Sequence, residues 1–245
     1  MTMSEVEFIP AEKLKQQFYC LGHFYSLVFG NGTEIPCRSL LEILRKDTFH
    51  GAVSTEITDL QSDALVIMMN PGSSRPLDPE QGGAAVSAHE IETGLATQPL
   101  VPTVPDTTQY QIMRLMLLQN WQHVRIVNLS DLRNADSNRF VQEISLLEKL
   151  PSGAVHSIFS NARRNEWKAR LSLNNGPVIA GWGQHPGLEK LAEYAVQSMA
   201  GQELTGIAVA RHPLRFAHPS PRNHSHKVRW LVQMAARFRP QSASF

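Results

Sequence analysis

Apolar positions along this chain form two kinds of pattern, uninterrupted runs and spaced stripes. The run Ala64-Leu65-Val66-Ile67-Met68-Met69 stops at Asn70-Pro71-Gly72-Ser73-Ser74, which predicts a buried strand ending in a tight loop. His123-Val124-Arg125-Ile126-Val127-Asn128-Leu129 predicts a second strand that also ends at an asparagine. Pro177-Val178-Ile179-Ala180-Gly181-Trp182-Gly183 predicts a third, closing in a glycine turn, and residues 205–210 a fourth.

The stripes predict helices between these strands. Leu14, Phe18, Leu21, Tyr25 and Val28 recur every three or four positions over 12–29, before Asn31-Gly32 ends the pattern. Asp106-Thr107-Thr108 reads as a helix cap ahead of Tyr110, Met113, Leu117 and Leu118. Further helices are expected over 140–149, 161–171 and 188–200, and over 225–238 with Val228, Leu231, Val232 and Ala235 inward. Residues 38–45 and 155–159 leave strand and helix open. The stretch 75–105, rich in Gly, Ala, Ser, Thr and Pro, predicts a long loop, either a cover over Asn70 or an insertion.

Strands alternating with helices predict an α/β fold: a three-layer α/β/α sandwich with a central, mostly parallel four-stranded sheet over 61–245. A mainly helical segment, 1–60, is expected to pack on it. In open sheets of this kind, sites lie at the carboxyl ends of strands. The last strand runs into Arg211-His212-Pro213-Leu214-Arg215-Phe216-Ala217-His218-Pro219-Ser220-Pro221-Arg222-Asn223, so three strand ends present Asn70, Asn128 and His218 to one edge.

Composition narrows the class. With 245 residues and 42% hydrophobic content the chain can bury a sizeable core. No apolar run is long enough to span a membrane and no secretory start is visible, so a cytoplasmic protein is expected. Two cysteines far apart exclude a disulfide framework and an all-cysteine cluster. The formal charge is only +1, yet residues 201–245 hold seven bases against the single acid Glu203, which suits an acidic partner such as nucleic acid.

At these residues the chain resembles the uracil-DNA glycosylase superfamily. Asn70-Pro71-Gly72 is similar to the first motif of its mismatch-specific and thymine glycosylase branch, and His218-Pro219-Ser220-Pro221 to the second motif of the superfamily. Val127-Asn128-Leu129, followed by Arg133 and Asn138-Arg139, looks like the strand end and loop whose asparagine reads the uracil edge. A second resemblance, over roughly 65–231, is to an uncharacterised family of bacterial domains with an Asn-Pro-Ser-type motif.

The first resemblance implies base excision from DNA by hydrolysis of an N-glycosidic bond. It gives Asn70 a water to hold, His218 the departing base oxygen, Asn128 the base edge, and Tyr110 the nearest stacking position. Arg222 would insert as a wedge or grip phosphate, with Ser220, Asn223, Lys227, Arg133 and Arg139 on the same DNA-binding rim. The first motif lacks an acid, and Asn70 cannot take a proton. No cofactor is implied, and His212, His218, His224 and His226 lack the acid or cysteine that would complete a metal set. Each residue also has a structural role open to it: strand capping for the asparagines, loop locking for His218, core burial for Tyr110 and Trp182. A binder of nucleic acid or of a nucleotide-like ligand, without turnover, is the alternative function.

Overall fold

The structure, a computed structural model, describes residues 6–49, 55–94, 99–199 and 201–238. Arg239 of the basic segment, residues 95–98 of the expected loop and Ala200 of the expected helix lie outside them.

Helix α1 (Ala11–Gln17) leads directly into strands β1 (Phe18–Val28) and β2 (Glu34–Arg45), which form an antiparallel hairpin. The helix expected over 12–29 thus ends at Gln17, and the expected mainly helical segment 1–60 contributes chiefly sheet. Leu14, Phe18, Leu21 and Tyr25 do keep helical spacing. However, β1 is buried at most of its positions, and a strand covered on both faces carries apolar residues in near succession that imitate a stripe. Its aromatic residues Phe18, Tyr19, Phe24 and Tyr25 also favour a pleated strand.

After β3 (Ala64–Met68), the stretch expected to be loop contains β4 (Arg75–Pro76), β5 (Ala84–Ser87), helix α2 (Ala88–Gly94) and β6 (Val101–Val104). Strands this short leave no readable period. Then come α3 (Thr107–Gln119), β7 (His123–Asn128), α4 (Ser137–Leu147), α5 (Arg164–Ser172), β8 (Val178–Ala180), α6 (Glu189–Gln197) and β9 (Leu204–Thr205). The expected fourth strand is divided. Past β9 the chain leaves the main sheet as β10 (Ala208–Val209), reverses at Arg211 in a left-handed conformation (φ 65°), and pairs with β11 (His212–Phe216) in a separate hairpin. Helix α7 (His224–Arg237) completes the described chain.

The fold is α/β with one mixed sheet of nine strands, ordered β4-β6-β1-β2-β7-β3-β8-β9 with β5 also on β1. A central four-stranded sheet is therefore too small a description: the β1–β2 hairpin, read as helix or left open, docks antiparallel on β7 and widens it. Strand β3 lies between β7 and β8, parallel to both, with Met68 opposite Asn128. Along β3 the side chains alternate between two cores. Val66 and Met68 pack with Leu14, Met113, Met116, Leu231 and Met234 of α1, α3 and α7. Leu65 and Ile67 pack with Phe140, Trp167, Leu171, Leu191 and Ala195 of α4, α5 and α6. Helices thus cover both faces. No helix among the described residues is long and apolar enough to cross a membrane.

Two buried ion clusters pin the strands that carry the site. Glu42 on β2 accepts from Arg125 Nε (2.7 Å) and lies 2.8 Å from His123 Nε2, both on β7. Asp131, just past β7, accepts from Tyr25 Oη (2.8 Å) and from Arg163 Nη1 (2.5 Å), and Arg163 also pairs with Glu166. Removing one member of such a pair strands the other charge in the core.

Candidate functional site

A cavity of about 420 Å³ opens where β3 and β7 end side by side. Asn70, Asn128 and His218 all line it, each brought from a different segment. Asn70 follows β3 in the loop 69–74. Its Nδ2 donates to the carbonyls of Asn134 (2.6 Å) and Leu132 (3.3 Å), so both amide protons are spent and Oδ1 is its remaining acceptor. Asn70 thereby ties the two loops that flank the cavity. Gly72 takes the left-handed conformation (φ 61°) that this turn needs, and its side of the loop faces Asp106.

Asn128 behaves differently. It is fully buried at the cavity floor, and neither its Nδ2 nor its Oδ1 has a hydrogen-bond partner. A buried amide left this way costs about 1–3 kcal/mol per orphaned group, so it is not a strand cap.

His218 enters on the segment after β11. The backbone N–H of Ser220 donates to its Nδ1 (3.1 Å), which leaves the proton of the neutral ring on Nε2. Burial holds its pKa below the ordinary histidine value, favouring that neutral form. Gly181 allows this approach: a Cβ there would stand 3.1 Å from the Pro219 ring and 3.0 Å from Met68 Sδ. Of the two His-Pro pairs, His218 reaches the cavity while His212 is exposed on β11.

Two charged side chains that pattern reading did not assign to the site also line it. Asp106 caps α3, its Oδ1 accepting from the N–H groups of Thr108 (2.8 Å) and Gln109 (3.1 Å). Its other oxygen, Oδ2, lies beside Gly72. Sequence marked it only as a cap, and the fold brings its carboxylate to the cavity wall. Arg38 of β2 is 2% exposed, and burial draws its pKa down to about 10, still well charged at neutral pH. Its signal was a lone base in the apolar run from Ile35 to Leu44.

The remaining expected residues lie outside this cavity. Tyr110, offered as the stacking aromatic, is buried in the core formed with α1 and α7, where burial raises its pKa and Lys15 opposes the rise. The aromatic in the wall is Trp182, whose Nε1 donates to Leu214 O (2.8 Å) and whose ring meets Phe216 edge-on. Arg133 is half-buried with its guanidinium 5.3 Å above the Phe24 ring, and Arg139 pairs with Glu143 (3.0 Å) on α4. Arg222 is exposed, Ser220 Oγ is buried without a partner, and Lys227 lies part-buried on α7. A second cavity, about 360 Å³, shares His218, Gly183 and Gln184 with the first and extends along α7 past Arg229 and His226.

Asn223 is the N-cap of α7, its Oδ1 accepting from Ser225 N (2.9 Å) and Ser225 Oγ (2.8 Å). Asn223→Ala is expected to cost about 1 kcal/mol in urea unfolding, the usual worth of such a cap. A variant of wild-type stability would remove the capping role.

No protein-family model, no curated protein and no solved structure matches this chain.

Proposed function

We propose that this chain is a glycosylase-like protein of the uracil-DNA glycosylase type, which flips a uracil or other deaminated or mismatched base into the first cavity and hydrolyses its N-glycosidic bond. The observation that carries the reading is Asn128, a buried amide with an unpartnered donor and an unpartnered acceptor among the residues that line the first cavity. Such a pair complements the carbonyl and N–H of a uracil edge and mismatches cytosine. The arrangement of β7, β3, β8 and β9, mutually parallel and second, first, third and fourth in chain order, with helices on both faces, supports the three-layer architecture this reading requires. On it, the β1–β2 hairpin and the strands beyond are additions to the sheet's edge.

In this mechanism the base departs with the bonding electron pair while positive charge grows on the sugar. His218, neutral and carrying its proton on Nε2, donates to a base oxygen. Asp106 Oδ2 faces the growing positive charge and receives the proton of the attacking water, a task no group in the Asn70 turn can do. Asn70 Oδ1 accepts from that water and fixes its position. The second cavity, with Arg229 and His226, offers the adjoining strand a basic path.

A second reading is a pocket that binds a nucleotide-like ligand without turnover. What favours it is that Asn70 spends its amide protons on loop carbonyls and that Arg139 and Arg215 are already paired with Glu143 and Glu189. Incubating the protein with uracil-containing single-stranded and duplex oligonucleotides, followed by alkali, separates the two. Strand breaks at the uracil are expected. No breaks from uracil, hypoxanthine or mismatch substrates, with DNA retained in a gel shift, would leave the binding reading.

A further inference from the structure

Five arginines are buried among the described residues, and four of them use their guanidinium groups. Arg125 donates to Glu42 and to backbone carbonyls, Arg163 to Asp131 and Glu166, Arg114 to Ile9 O, and Arg170 to Thr58 O. The Arg38 guanidinium has no such partner among the described residues. Its Nε and Nη1 are orphaned and it makes no ion pair, while the backbone N–H of Arg38 donates to Asp131 O (2.8 Å). Four groups act on it electrostatically: Cys20 from β1, Asp106 from the cap of α3, and Asp131 and Arg133 from the segment after β7. Asp131 Oδ2 is already committed to Arg163 and Tyr25 while its Oδ1 is buried without a partner, and Asp106 Oδ1 is committed to its helix. A charged guanidinium in this position is costly unless an anion completes it.

We infer that Arg38 is the charge-holding residue of the cavity, a catalytic residue that stabilises the base as an anion when the glycosidic bond breaks. This rests on the glycosylase reading. In that step the C–N bond breaks and its electron pair stays on the base, spread onto the flanking carbonyl oxygen. The water oxygen bonds to the sugar carbon, and one water proton passes to Asp106. The released base anion takes its proton from solvent later. Arg38 supplies the formal charge, and His218 supplies a neutral donor. Together they favour a base that can carry negative charge on a carbonyl beside the broken bond.

The test uses 5-fluorouracil, a stronger N–H acid than uracil, in two ways. Free 5-fluorouracil bound to the wild-type protein is titrated by fluorine NMR, and its apparent ionisation is expected about one pH unit or more below that of the unbound base. Arg38→Gln should abolish the shift, and Arg38→Lys should keep part of it. In single-turnover excision, Arg38→Gln should lose about 10²-fold with uracil in the oligonucleotide and clearly less with 5-fluorouracil, whose anion needs less help. Equal losses on the two bases would assign Arg38 a structural role and overturn the inference. If wild type excises neither base, the glycosylase reading fails by itself and the fluorine titration decides. A lowered ionisation that Arg38→Gln removes upholds anion binding, whereas an unlowered one, or no binding, overturns it. If Arg38→Gln does not fold, Arg38→Lys decides: a wild-type lowering that Arg38→Lys reduces upholds the inference, and one that Arg38→Lys leaves whole, or no lowering in wild type, overturns it.

Discussion

Acidification from about pH 7 to pH 4 is expected to destabilise the folded protein by roughly 3 kcal/mol, a large share of a typical domain's stability. The cause is two buried histidines. His23 (4% exposed) lies 2.7 Å from Ser39 Oγ, and His156 (0% exposed) lies 2.9 Å from Ser130 Oγ with its Nε2 orphaned. Burial lowers both from 6.5 to about 4. Since the depressed group is a base, the unfolded chain takes up its proton first as the pH falls. The stability it contributes is whole above about 6.5, falls between 6.5 and 4, and levels below that. Each histidine accounts for about 3 kcal/mol over that window. Asp131 works the other way. Burial raises it from 3.8 to about 6, against the pull of Arg163, so the folded state takes up this proton first and recovers about 3 kcal/mol. Subtracting that recovery from the two histidines leaves the net loss. Urea unfolding at a series of pH values checks it. In the variant with His23→Gln and His156→Gln together, the acid-induced loss should fall sharply, with His218, also lowered by burial, still contributing, and a drop as large as in wild type would show that other groups titrate.

Much of the architecture could be read from patterning, and the parts that could not have physical reasons. The runs at Ala64, His123 and Pro177 became β3, β7 and β8 because short runs bounded by turns and buried on both faces have few alternatives. The capping box at Asp106, with Gln109 answering across the first turn, was legible because the motif is local. The β1–β2 hairpin was not, since the burial of its two faces depends on segments far away in sequence. Asn70 and Asn128 could be placed on one edge because strand ends in such sheets converge, whereas His218 was expected at a strand end of that sheet and instead reaches the cavity after β11, which lies outside it. Their roles were less legible. Only contacts distinguish Asn70, whose amide is bound by Leu132 and Asn134, from Asn128, whose amide is bound by nothing. Arg38 and Asp106 stayed hidden because one looks like a stray charge in a strand and the other already had a task.

Asn128→Leu is expected to raise stability by about 1–2 kcal/mol while lowering uracil excision at least about 10²-fold. The two effects share one cause. In wild type the donor and acceptor of Asn128 give up water and receive nothing from the protein. An apolar side chain of nearly the same shape removes both orphaned groups, the case in which replacement is neutral or stabilising. A structural asparagine would behave in the opposite way, since losing its bonds would cost stability. His218→Ala should lower excision by about 10²–10³-fold, the worth of one donor aimed at a developing oxyanion, and should do so for every base alike. Asn128→Leu instead removes the edge reader, so the discrimination of uracil from cytosine should collapse along with the rate. The pH profile separates them further. With the His218 pKa held below the ordinary value by burial, the acid-side fall in excision should set in at lower pH than an ordinary histidine would give. Excision rates for uracil and cytosine substrates, set beside urea unfolding of the same variants, decide the matter. An Asn128→Leu protein that is less stable than wild type, or one that excises uracil normally, would remove Asn128 from the site and with it the observation on which the glycosylase reading rests.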